Sequence, residues 1–163
     1  MPPLRFARAE TTLGPMLLAE TDRGVAAVSR DLSLESFLQP LLRRFPNADA
    51  TPADLDAGWI DATLDGGRLP AIDLGGLSAF DARVYETVRS ISSGQTVTYG
   101  EVAALIGSPG AARAVGGAMS RCPLFPAVPC HRVVRASDGW SGWGGDDRLK
   151  RRLLAREANA PSR

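Results

Sequence analysis

The apolar pattern of this chain changes character near residue 78, and that change limits the fold more than any other feature. Before it, short apolar runs alternate with turn signals. Met16-Leu17-Leu18-Ala19 and Val25-Ala26-Ala27-Val28 flank Thr21-Asp22-Arg23-Gly24, whose Asp and Gly suit a hairpin turn, so the first thirty residues predict a small sheet. Leu34, Phe37, Leu38, Leu41, Leu42 and Phe45 recur at helical spacing behind a Ser33 cap, and Pro46-Asn47 breaks the pattern. This predicts a helix packed on the sheet. A weaker helical pattern uses Leu55, Trp59, Ile60 and Leu64 and stops at Gly66-Gly67; residues 69–77 predict a short strand running into a linker.

After Ser78 the pattern is helical throughout. Phe80, Val84, Val88 and Ile91 line one face until Ser93-Gly94. Thr98 and Glu101 stand at the spacing of a capping box and predict a short helix ending near Gly107. Ser108 then caps a second helix with Pro109 at its first position, running to about Ser120. The expected fold class is α+β: an N-terminal α/β sheet domain with linker over residues 1–77, then a mainly helical domain over residues 78–163.

Two short helices joined by a Gly-Ser turn make a helix-turn-helix, which often presents its second helix to DNA but is also simply a way to pack two helices. Charge points the same way. Residues 1–78 hold 7 Arg against 11 Asp or Glu, a net −4, whereas residues 79–163 hold 12 Lys or Arg against 7 acids, a net +5. A basic half beside an acidic half fits a polyanion-binding module joined to a non-binding one, and equally an ordinary solvated basic face. The second helix carries Ala111, Ala112, Ala114, Gly116, Gly117 and Ala118 around one long cation, Arg113. Small residues suit tight helix packing. They also suit entry into a minor groove about 6 Å wide, which excludes a helix about 10–12 Å across unless it is stripped of bulk. Composition leaves both readings open.

Several classes are excluded. No apolar run approaches the roughly 20 residues that span a bilayer, and Met1-Pro2-Pro3-Leu4-Arg5 lacks the apolar stretch of a signal peptide, so a cytoplasmic location is expected. Two cysteines, Cys122 and Cys130, make no disulfide framework, and with a single histidine they supply too few ligands for a tetrahedral zinc site. Neither a structural metal nor a cofactor is expected.

Chemistry concentrates at Pro129-Cys130-His131-Arg132. The apolar run Leu124 to Val128 predicts a buried approach to Cys130. A buried free cysteine is ordinarily a small hydrophobe. Here an imidazole adjoins it, and Arg132 and Arg135 follow closely; such neighbours favour the thiolate, the nucleophilic form.

Four blocks now occur in order: Thr96-Val97-Thr98-Tyr99-Gly100-Glu101-Val102-Ala103; Ala112-Arg113-Ala114-Val115-Gly116; Val128-Pro129-Cys130-His131-Arg132-Val133-Val134; and Lys150 followed by Leu153-Leu154 and Glu157. Together they resemble the O6-alkylguanine-DNA alkyltransferases over about Phe80 to Glu157. The resemblance implies a ribonuclease H-like first domain and a winged helix-turn-helix-like second one. It implies direct, irreversible transfer of an alkyl group from O6-alkylguanine in duplex DNA to Cys130, once per molecule, by a monomer without a cofactor.

Position by position, it makes Cys130 the acceptor, His131 the histidine acting on it through a bridging water, and Glu157 the carboxylate that orients that histidine. Tyr99 is implied beside the flipped nucleotide, and Arg113 as the finger replacing the extruded guanine. Ala112, Gly116 and Met119 are implied to meet DNA, and Val133, Trp143 and Gly144 to border the base. On their own, Glu157 and Arg113 read as solvated charges and Tyr99 as a core aromatic.

The chain departs from the family pattern twice. Cys122-Pro123 stands where members usually carry Asn-Pro, and a thiol cannot make the paired hydrogen bonds of an amide. Trp143 stands where tyrosine is common, keeping a flat wall but changing its hydrogen bonding. Three other readings compete. An alkyltransferase-like damage binder would lack the nucleophile, a helix-turn-helix regulator leaves Cys130-His131 unexplained, and a cysteine hydrolase needs an oxyanion hole and turnover.

Overall fold

The computed structural model describes residues 3–137 and 147–159, and its chain divides into two compact units. The first comprises Met1–Ser78 with Pro123–Ala127, and the second Ala79–Cys122 with Val128–Arg163. The fold class is α+β.

In the first unit, strands β1 (Pro3–Thr11), β2 (Gly14–Thr21), β3 (Gly24–Ser29) and β4 (Asp49–Pro52) form one sheet in the order β3-β2-β1-β4. The first three strands pair antiparallel, and β4 joins β1 in parallel, Leu4 opposite Ala50. The turn predicted at residues 21–24 is the β2–β3 connection, closed by Gly24 at φ +139°. Helix α1 (Leu34–Arg44) begins where Ser33 accepts a hydrogen bond from the Ser36 N–H, a cap worth about 1 kcal/mol. Its Phe37 and Leu41 bury against Leu4, Leu17 and Ala19 of the sheet. Met16, Leu17, Leu18 and Ala19 are all buried, so β2 is covered on both faces, which is why its sequence is a continuous apolar run rather than an alternation. Helix α2 (Gly58–Leu64) ends at Gly66, φ +83°.

The strand expected within residues 69–77 does not form; only a single bridge joins Ile72 to Val25. The segment is held instead by side chains. Arg44 donates to the carbonyls of Ala26, Asp73 and Gly75, and Asp73 accepts from Thr21. The later segment Pro123–Ala127 returns to this unit, where the Pro123 carbonyl accepts from the Val28 N–H at 2.7 Å.

The second unit holds α3 (Ala79–Val88), α4 (Tyr99–Leu105), α5 (Ala112–Arg121) and α6 (Asp147–Ala158), with β5 (Val97–Thr98) paired in parallel to β6 (Val133–Val134). Thr98 caps α4, as its spacing from Glu101 predicts, by accepting from the Glu101 N–H at 3.1 Å. Helix α5 starts later than expected. The Ser108 N–H is bonded to Ala103, closing α4 behind Gly107 at φ +80°, and Pro109-Gly110 form a turn in which the Ala111 N–H reaches the Ser108 carbonyl. Ser108 thus ends one helix instead of starting the next. Tyr85 on α3 donates to the Ala118 carbonyl on α5 at 2.8 Å, tying the helices together in the core. Among the described residues no helix is long and apolar enough to cross a membrane.

Candidate active site

Cys130 opens a single 3-10 turn, Cys130–Arg132, between the returning segment and β6. The Arg132 N–H bonds the Pro129 carbonyl and the Cys130 N–H bonds that of Val128, which fixes the backbone that carries the three consecutive functional side chains. Cys130 is 1% exposed and His131 2% exposed.

From α6, Glu157 meets this turn. Its Oε1 lies 2.6 Å from His131 Nε2. Arg132 grips the same carboxylate at two points, Nε 3.0 Å from Oε2 and Nη2 2.8 Å from Oε1, while its Nη1 donates to the Ile91 carbonyl behind α3. The Gly94 N–H adds a longer contact to Oε2 at 3.4 Å. Glu157, although surrounded by protein, is held down to about 2 by His131 and Arg132, whose bonds and charges outweigh the desolvation that would raise it. His131 is displaced below its ordinary value: burial dominates and the Arg132 and Lys150 charges add to it, against the pull of Glu157. The imidazole is therefore neutral at pH 7.

The expectation that arginines behind Cys130 favour its thiolate is overturned. The thiol is pushed well up, first by burial and then by the Cys122 thiol hydrogen-bonded to it. Arg132 points to Glu157, and Arg135 is at the surface. The cation that opposes the shift is Lys150 of α6, 1% exposed, whose Nζ donates to the Val133 carbonyl at 2.6 Å. Sequence reasoning assigned Lys150 no role, yet a lysine in an otherwise apolar helical stripe beside Leu149 and Leu153 is the signal that could have found it.

The remaining residues fall into two groups. Tyr99, half-buried at the start of α4, faces Gly116 of α5: a Cβ on Gly116 would stand 4.0 Å from the Tyr99 ring. Arg113 is exposed, and Ala112 and Gly116 are partly so. Met119 is not on that surface. It is 3% exposed and packs in the core with Val115 and Ala118, because it lies on the inner face of α5. Val133 is buried beside the site, and Trp143 and Gly144 lie outside the described residues.

Comparison with known proteins supplies the family. A family model described as the DNA binding domain of 6-O-methylguanine DNA methyltransferase matches residues 79–159. The methylated-DNA–protein-cysteine methyltransferase of Mycobacterium bovis is 47% identical over 172 residues, covering 98% of this chain and 96% of its own length. The Escherichia coli bifunctional transcriptional activator/DNA repair enzyme Ada is 36% identical over 98% of this chain, and the chain spans about half of that relative, 47%. The crystal structure of Mycobacterium tuberculosis OGT in complex with DNA superposes with a TM-score of 0.73 at 32% identity, over 98% of this chain and 96% of that one. A relative matched over nearly its whole length, and a solved structure matched just as fully, leave one conclusion: this chain belongs to the methylated-DNA–protein-cysteine methyltransferase family.

Proposed function

We propose that this protein repairs duplex DNA by moving an alkyl group from the O6 atom of guanine onto Cys130, one lesion per molecule. The observation that carries the reading is the buried Cys130 thiol, followed directly in the chain by a buried, neutral His131 whose Nε2 is fixed by Glu157.

With Nε2 committed, His131 takes up the thiol proton through Nδ1, by way of a water. The Cys130 sulfur attacks the alkyl carbon in line, the carbon–oxygen bond breaks, and guanine leaves with the electron pair and regains a proton. The products are a thioether and an unmodified guanine. A thiol pushed up by burial rests protonated, so it is slow toward adventitious reagents, and its proton leaves only as the alkyl carbon arrives. The thioether is a poor leaving group for any second displacement, so the reaction ends there.

An edge of a paired base is unreachable inside the stack, so the guanine must be extruded at a cost of a few kcal/mol. We assign α4 and α5 as the helix-turn-helix of a winged unit. Ala112 and Gly116 allow close approach to the minor groove, Arg113 fills the gap left by the base, and Tyr99 crowds the flipped nucleotide. The Val133 carbonyl, with Trp143 and Gly144, borders the base. The β3-β2-β1-β4 order with its parallel fourth strand supports a ribonuclease H-like first domain, and the same reading divides the chain into domains near residue 78. The protein acts as a cytoplasmic monomer whose partner is DNA carrying O6-alkylguanine.

Titrating the protein against duplexes bearing one O6-methylguanine is the test. Restored guanine should rise with protein and stop at one per molecule. Repair continuing beyond equivalence would mean a turning-over hydrolase and would sink the reading.

A further inference from the structure

Arg132 occupies a position that the transfer step above does not explain. It is a 5% exposed guanidinium in the residue next to the base His131, yet it makes no use of the thiol. Instead it takes both oxygens of the carboxylate that His131 also needs, and its third nitrogen is anchored to the Ile91 carbonyl. One buried carboxylate therefore serves both a guanidinium and an imidazole.

We propose that Arg132 is a positioning residue for the alkyl transfer, dividing the charge of Glu157 so that this carboxylate orients His131 without holding it as an imidazolium. The proposal rests on the reading of His131 as the proton acceptor and adds what keeps it able to accept.

The physical argument compares two arrangements. A carboxylate hydrogen-bonded only to a buried imidazole stabilises the protonated ring, and a histidine already protonated cannot take the thiol proton. A guanidinium sharing the carboxylate weakens that pull and adds direct repulsion to a charged ring. Its planar fork also fixes where both oxygens point, a geometry that an ammonium cannot reproduce. The charged groups acting on His131 are Glu157 and Lys150 from α6 and Arg132 from its own turn. Lys150 opposes protonation as Arg132 does, with its Nζ donating to the Val133 carbonyl; Arg132 opposes it while also holding both oxygens of Glu157, which couples orientation to charge.

His131 is the only histidine in the chain, so its titration is read by NMR of the imidazole without ambiguity. The unmodified protein, Arg132→Met and Arg132→Lys are titrated, and the rate of methyl transfer from O6-methylguanine duplex is followed against pH in single turnover. In Arg132→Met the imidazole midpoint should move up, the acid limb of the rate profile should move with it, and the rate at mildly acidic pH should fall about tenfold or more. Arg132→Lys keeps the charge without the fork and should fall between the two; it also serves if the Met variant does not fold. A midpoint that stays or moves down in a folded variant overturns the proposal, since a merely structural arginine would change stability alone. Failure of the unmodified protein to transfer methyl overturns the repair reading instead, a result the NMR midpoint does not depend on.

Discussion

Glu157→Gln is expected to lower folding stability by about 3–5 kcal/mol at neutral pH, because it leaves the Arg132 guanidinium buried without a counter-charge. The amide keeps the shape of the carboxylate, so lost volume contributes little. In urea at pH 7 the midpoint should fall with an unchanged slope. The difference should also depend on pH in a definite sense. In the folded protein Glu157 stays ionised down to about 2, whereas in the unfolded chain it takes a proton near 4.5. Its contribution is complete above that unfolded value and is lost as pH falls from about 4.5 toward 2, so the gap between the two proteins should narrow across that window. His131 acts in the same direction from higher pH. Its folded value lies below the ordinary 6.5, so the unfolded chain binds the proton first and acidification below 6.5 favours unfolding. A gap that is constant from pH 7 to 3 would show that the carboxylate contributes no charge to the fold.

Arg113→Ala is expected to slow repair of duplex lesions by roughly a hundredfold, the equivalent of a few kcal/mol of base extrusion. Arg113 is exposed on α5, so the loss should come with little change in stability, unlike that of Glu157→Gln. The defect should shrink when the lesion lies in single-stranded DNA, where no stacked duplex holds the guanine. Single-turnover rates on paired and unpaired substrates measure both. Equal rates for the two proteins on duplex would contradict the role of Arg113 as the group that replaces the base.

What the sequence made legible follows the range of the interactions. The Ser33 and Thr98 caps are local hydrogen bonds three residues long, and both appear in the structure where the spacing places them. The start of α5 was misjudged because Ser108 has two possible partners. Closure of α4 behind Gly107 takes its N–H, and the Pro109-Gly110 turn consumes the residues that would have opened the next helix. Strand β4 and the return of Pro123–Ala127 depend on pairing with distant segments and leave no local trace.

In the site the same division holds. The adjacency of Cys130 and His131 is visible in the chain, whereas the meeting of His131 with Glu157, 26 residues later, was reached only through the family resemblance. Arg132 was judged by its nearness to Cys130 along the chain. In the folded turn it converges with His131 on Glu157, so a residue close to the thiol in sequence serves a different partner in space. Similarly, Met119 shares α5 with Arg113 but lies on its inner face, a distinction that a stripe of alanine and glycine conceals.

Cys122 lies against the nucleophile and is the other free thiol of the chain, so the acceptor must be identified by residue. The most direct test mixes the protein with duplex DNA carrying one O6-methylguanine and then measures the intact mass and the masses of its peptides. The proposed transfer predicts one added methyl group, on the peptide containing Cys130 and absent from Cys130→Ala, with Cys122 unmodified. A methyl group on Cys122, or protein that binds the lesion fully and gains no mass, would contradict the account.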